Sequence, residues 1–225
     1  MQNKAISIAV LGTGMVGKTI ATKLVQRGQR VFMGSRSAGG AAAEWAKSAG
    51  ALATAATFAD AARAAEIVFN CTNGENSLAA LRSAGADALA GKILIDVSNP
   101  LSQENFGTLT VCNTDSLGEQ IQREFPAARV VKSLHTVNCD LMVDPSGLPG
   151  DHNIFVCGDD AAAKKSVIEY LGAWFGWPAS RVLDLGGIQS ARATEMYLPL
   201  WLALYRSLGH ATFNLQIQGM QTTSR

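Results

Sequence analysis

Residues 12–17 read Gly-Thr-Gly-Met-Val-Gly, a G-x-G-x-x-G run directly after the apolar stretch Ile6 to Leu11. The run opens a segment, about Met15 to Arg27, in which Ile20 and Leu24 recur at helical spacing before Gly28 stops it. A strand, a tight turn and a helix are complete within thirty residues, and nothing else in the chain restricts its fold as much. In that setting Gly12 makes the tight turn, Gly14 lets the backbone approach a pyrophosphate, and Gly17 lets helix and strand pack closely. The unpaired N–H groups at the helix start then face an anion.

Short apolar runs recur with helical stretches between them, the pattern of β-α units and a mostly parallel α/β sheet. The expected strands are Ile6 to Leu11, Arg30 to Met33, Ile67 to Cys71, Lys92 to Val97, Arg129 to Ser133, Asn153 to Cys157 and Arg181 to Leu185. Trp45 and Phe58 anchor the Ala-rich stretch Gly39 to Ala65, which reads as packed helix and connector. Pro145, Gly147, Pro149 and Gly150 mark a weak boundary between Asp140 and Asp151. A helix starting near Asp159 or Asp160 and a long apolar helix from about Gln189 to His210 follow, and the tail from Gln218 reads as loose.

Several function classes drop out. Lys plus Arg number 19 and Asp plus Glu 18, so there is no basic field for nucleic acid. The longest apolar run, Met196 to Tyr205, has ten residues broken by Pro199, where a membrane span needs roughly 20. Without a secretory leader pattern at the N-terminus, a cytoplasmic protein is expected. Cys71, Cys112, Cys139 and Cys157 form no C-x-x-C pair, and H-E-x-x-H, G-x-S-x-G and Tyr-x-x-x-Lys are missing, so neither a metal site nor hydrolysis is expected. Cys71 and Cys157 sit in apolar runs as small buried thiols.

The end of the second strand bears on the cofactor. An NAD site carries an acid about 20 residues after the glycine loop, on the ribose hydroxyls. This chain reads Gly34-Ser35-Arg36 there. A hydroxyl and a planar, always charged fork suit the 2′-phosphate of NADP. Thr72-Asn73-Gly74 and Ser98-Asn99-Pro100 also end strands, and Thr72, Asn73 and Asn99 are candidates for the nicotinamide side, although ordinary turn residues read the same way. His135, in Ser133-Leu134-His135-Thr136-Val137-Asn138, is the candidate on the substrate side, with a structural histidine the plainer alternative. Met196 and Leu200 are the expected apolar wall of that pocket.

Val10-Leu11-Gly12-Thr13-Gly14, Gly34-Ser35-Arg36, Ser133-Leu134-His135-Thr136, Val156-Cys157-Gly158-Asp159-Asp160, Leu183-Asp184-Leu185-Gly186-Gly187, and Ser190-Ala191-Arg192 ahead of Leu198-Pro199-Leu200 together resemble the NADPH:coenzyme F(420) oxidoreductase family. The pattern is also similar to the reductase domain of metalloreductases, which use a flavin. The resemblance implies a Rossmann-type doubly wound sheet over residues 1–145, a small C-terminal α/β subdomain over 151–217 with the long helix, and a loose tail over 218–225. It implies a homodimer that passes hydride between NADP(H) and a deazaflavin. By position, Thr13, Gly14, Met15 and Val16 fall on the pyrophosphate loop, Ser35 and Arg36 on the 2′-phosphate, and His135 and Val137 beside the deazaflavin. Ser37-Ala38-Gly39-Gly40 follows the Arg, without the second basic residue that members often carry. A flavin, a ferric chelate or another small acceptor, and a non-catalytic NADP-binding redox sensor, stay open as alternatives.

Overall fold

Strand β1 (Ser7–Leu11) is buried along its whole length, the signature of a central strand covered on both faces. Its side chains alternate: Ile8 and Val10 enter one core layer, Ala9 and Leu11 the other. The computed structural model describes residues 6–219. Around β1 lie β2 (Arg30–Ser35), β3 (Ala53–Thr57), β4 (Ile67–Asn70), β5 (Ile93–Asp96), β6 (Arg129–Ser133), β7 (Ile154–Cys157) and β8 (Val182–Asp184). They form one sheet in the order β3-β2-β1-β4-β5-β6-β7-β8. All neighbours are parallel except β6 and β7. The chain winds outward one way from β1 and then the other way from β4, so the β1/β4 boundary is the switch point where ligands of open α/β sheets bind.

The helices are α1 (Met15–Gln26), α2 (Ala41–Ala49), α3 (Phe58–Ala64), α4 (Ser77–Ala84), α5 (Ala86–Leu89), α6 (Leu117–Glu124), α7 (Cys139–Val143), α8 (Ala161–Tyr170), α9 (Ala191–Glu195) and α10 (Tyr197–Leu208). Ile20 and Leu24 of α1 pack into the Ile8 and Val10 layer with Phe69, Trp174 and Phe175. Leu81 and Ile121 cover the other face with Phe58 and Leu94. The segment expected as a C-terminal subdomain adds β7 and β8 to this same sheet, and Ile154, Val156 and Val182 share the first core layer.

Three segments differ from the sequence reading. The expected connector contains β3, an Ala-Thr strand that pairs with β2 from Val31↔Ala53 to Ser35↔Thr57. The expected continuous C-terminal helix breaks at Met196 into α9 and α10. Pro199 is the cause, because its nitrogen carries no hydrogen and its ring would collide with the carbonyl four residues back, that of Glu195. The weak boundary is also more regular than expected, holding α7, capped by Asn138, and a 3-10 turn at Pro145–Gly147. The last part of the expected loose tail, from residue 220, lies outside the described residues.

Candidate functional site

At the carboxyl end of β1 the glycine loop is built by close contact. Gly12 has φ +118, and a Cβ there would lie 2.5 Å from the Cys71 carbonyl oxygen. A Cβ on Gly17 would lie 2.0 Å from the carbonyl oxygen of Gly12. Gly14 faces open space, with nothing within 4 Å of where its Cβ would stand. It precedes the first residue of α1, whose first turn has no side-chain cap and no acid. The N–H groups there face outward beside half-buried Thr13 and Val16 and exposed Met15, an arrangement that takes an anion. At the end of β2 the Ser35 hydroxyl donates to the Ser37 carbonyl, and Arg36 is exposed.

The loops after β4 and β5 meet next to this turn. Thr72 Oγ1 donates to Asn70 Oδ1 at 2.6 Å. Asn73 Oδ1 accepts from the Glu75 N–H at 3.1 Å, so its side chain is occupied in a turn. Asn99 Nδ2 donates to the His135 carbonyl at 2.8 Å, while Asn99 Oδ1 is buried with no partner. Gly74, which sequence reasoning did not single out as a site residue, makes the two loops meet: a Cβ there would lie 1.9 Å from the Asn99 carbonyl oxygen. Its position after the polar pair Thr72-Asn73 at a strand end was the available signal.

His135 follows Leu134, whose φ of +67 is strained for a branched side chain and turns the chain sharply after β6. His135 is buried, and among the described residues neither ring nitrogen makes a hydrogen bond of ordinary geometry, the Ser133 backbone acting on the ring only weakly. Burial, and then the Lys132 ammonium, hold its pKa well below the usual histidine value, so the ring is neutral. Lys132 itself went unnoticed in the sequence. Its buried ammonium donates to Asp96 Oδ2 at 2.7 Å, to the Ser98 carbonyl at 2.6 Å and to Glu195 Oε1 at 2.8 Å. Burial works to lower the Lys132 pKa, and the two carboxylates outweigh it. Glu195 also accepts the Leu117 and Gly118 N–H groups at the start of α6, at 2.8 and 3.0 Å. Asp96 Oδ1 accepts from Asn70 Nδ2 and the Ser98 hydroxyl. The network thus fixes the Ser98 carbonyl, one residue before Asn99, and ties α9 to the sheet.

These pieces enclose a cleft of about 510 Å³. Met15, Val16, Thr72, Asn73, Asn99, His135 and Val137 all line it. Gly12, Thr13, Gly14 and Gly17 stand beside it in the loop, whereas Ser35 and Arg36 lie away from it at the end of β2. Its far wall is α10, but through Leu198, Trp201, Leu202 and Tyr205 rather than the expected Met196 and Leu200, which are 38% and 54% exposed. The break at Met196 restarts the helix and sets which face looks inward; Leu198, Trp201, Leu202 and Tyr205 stand at i, i+3, i+4 and i+7 on one helix face. Among the described residues, no Asp, Glu, Lys or Arg lines the cleft. Cys71 lines it too, but burial raises its pKa and keeps it a thiol. Among the described residues no cluster of three or more His, Cys, Asp or Glu could hold a metal, and no helix is long and apolar enough to cross a membrane.

Residues 7–100 match the family described as NADP oxidoreductase, coenzyme F420-dependent. Over 212 residues the chain is 30% identical to the F420-dependent NADP reductase of Methanothermobacter marburgensis, covering 88% of this chain and 92% of that protein. The chain belongs to this family. It is an NADP-dependent oxidoreductase. The crystal structure of a protein described as an F420-dependent NADP-reductase, from Arthrobacter sp. FB24, superposes on this reductase with a TM-score of 0.89 at 47% identity, covering 95% of this chain and 99% of that one. The reductase is also 33% identical over 205 residues to the metalloreductase STEAP3 of Rattus norvegicus. That match covers 88% of this chain but only 38% of the metalloreductase's length.

Proposed function

We propose that the reductase passes hydride between NADP(H) and the ring of a deazaflavin of the coenzyme F420 type seated in the α10 cleft. The observation that carries this is the cleft's chemistry: apolar walls from α10, no charged side chain, and a buried neutral histidine. A planar tricycle needs apolar walls and few polar anchors. Gly12, Thr13, Gly14, Met15, Val16 and Gly17 hold the pyrophosphate, and Ser35 with Arg36 takes the 2′-phosphate, since no acid ends β2. Thr72, Asn73 and Asn99 stand on the nicotinamide side, and His135 and Val137 hold the acceptor ring. NADP(H), when bound, supplies the hydride, and solvent supplies the proton that balances reduction of the ring.

The side chains therefore position rather than react. Holding two rings in register contributes up to about 7 to 11 kcal/mol in favourable cases. Neutral His135 orients the ring without giving up a proton.

Similarity to the metalloreductase favours a second reading, an NADPH-dependent reductase of a flavin or a ferric chelate. The uncharged cleft speaks against an anionic chelate binding there directly. Anaerobic NADPH oxidation with deazaflavin, FMN, FAD and ferric chelates separates the readings. Fastest turnover with the deazaflavin is expected; turnover with flavin or iron alone moves the assignment to the second reading. Nucleotide binding with no turnover on any acceptor makes the chain a redox sensor.

A further inference from the structure

The polar groups of the cleft wall specify more than its shape does, and this step rests on the reading that a planar ring enters the cleft. Trp201 lies between Tyr205, at a centroid distance of 5.7 Å and an interplanar angle of 7°, and Phe213 at 5.3 Å and 29°. Two ring contacts fix the plane of the indole. Its Nε1 is buried and has no hydrogen-bond partner among the described residues. Two other indoles of the chain are satisfied: Trp45 donates to Thr22 Oγ1 at 3.0 Å and Trp177 to the Met142 carbonyl at 3.0 Å. An indole N–H can only donate, and an unmade hydrogen bond in a buried place is unfavourable. A second such group lines the same cleft: His135, 5% exposed, has no hydrogen bond of ordinary geometry at either ring nitrogen among the described residues.

We infer that Trp201 is a specificity-determining residue for the hydride acceptor: its Nε1–H donates to a carbonyl oxygen on the edge of a planar ring. His135 makes the second polar contact to the same ring. The acceptor class is thus a fused heteroaromatic with an edge carbonyl.

Trp201→Phe keeps an aromatic ring between Tyr205 and Phe213 and removes only the donor. With 5-deazariboflavin as the probe and NADP⁺-saturated protein, equilibrium dialysis should give binding about 10-fold weaker than in the parent, as for loss of one buried hydrogen bond. Nucleotide affinity should not change. Unchanged 5-deazariboflavin binding in Trp201→Phe overturns the donor role and leaves the hydride-transfer reading in place. A parent that neither binds nor reduces the probe overturns both. Should the variant fail to fold, the parent decides alone. One of its four tryptophan indole N–H signals should move downfield in a proton–nitrogen spectrum when 5-deazariboflavin is added, and no movement overturns the inference.

Discussion

Gly14 and Gly17 stand three residues apart in one loop and do different work. A side chain on Gly14 meets nothing in the protein, so Gly14→Val should fold with a thermal midpoint near the parent's while losing nucleotide binding, because the new Cβ occupies the approach to the helix start. Gly17→Ala drives its Cβ into the Gly12 carbonyl and should destabilise by about 1–3 kcal/mol or more. Thermal melts with and without NADP⁺ distinguish the two; a Gly14 variant that still shifts on nucleotide addition would place the pyrophosphate elsewhere. His135 has a pH signature. Its folded pKa lies well below the 6.5 of the free side chain, so below pH 6.5 the unfolded chain binds a proton that the folded chain refuses. Stability falls with acidification, by about 1 kcal/mol between pH 6.5 and 5.5 from this residue alone. His135→Gln should lack that increment, so its stability relative to the parent should improve toward low pH. In kinetics the parent should show no histidine limb near pH 6.5 in kcat/KM for the acceptor; an ionisation lost in His135→Gln would make His135 a general acid instead.

Between elements, one ammonium does the joining. Lys132 of β6 reaches Asp96 at the end of β5 and Glu195 of α9, and Glu195 in turn caps the start of α6. Arg192 and Glu119 add a second α9–α6 contact, at 2.8 and 2.6 Å. Because α10 follows α9 after a single residue, this junction also sets where the far wall of the cleft stands. Lys132→Met leaves two buried carboxylates without their cation and should cost about 3–5 kcal/mol in urea unfolding. Adding Glu195→Gln removes one of the stranded charges, so the double variant should be less destabilised than the sum of the singles. Simple additivity would mean that the ion pair is not the coupling between these elements.

At the scale of the whole molecule, the sheet brings every loop with a candidate role to one edge. The loops after β1, β4, β5 and β6 leave the carboxyl ends of adjacent strands on both sides of the β1/β4 switch, and α10 closes over them. The antiparallel β6–β7 pair carries the chain back across the sheet, so the last quarter of the sequence returns to wall a cleft begun by its first sixteen residues. The N–H of Asn153 and the Leu215 carbonyl, 2.8 Å apart, and the Asn214 side chain on the Asn153 carbonyl, also at 2.8 Å, hold that returning segment against the start of β7.

The sequence by itself determined the strand–loop–helix start, the mostly parallel sheet and the missing acid after β2, because each is written in contiguous residues: an apolar run, a glycine spacing, a dipeptide at a strand end. It also set His135 at the end of β6. Only the tertiary structure decided the rest. β3 has alanines where a strand usually shows branched residues, and it forms because β2 offers it a paired edge. The wall of the cleft depends on helix phase, which Pro199 resets through a clash with Glu195 that apolar spacing alone does not register. Lys132 reads as an ordinary strand residue until Asp96, 36 positions earlier, and Glu195, 77 and 78 positions beyond the α6 N–H groups it caps, are brought around it. Charges that stabilise one another across such separations leave no local periodicity, so their pairing appears only once the sheet has closed.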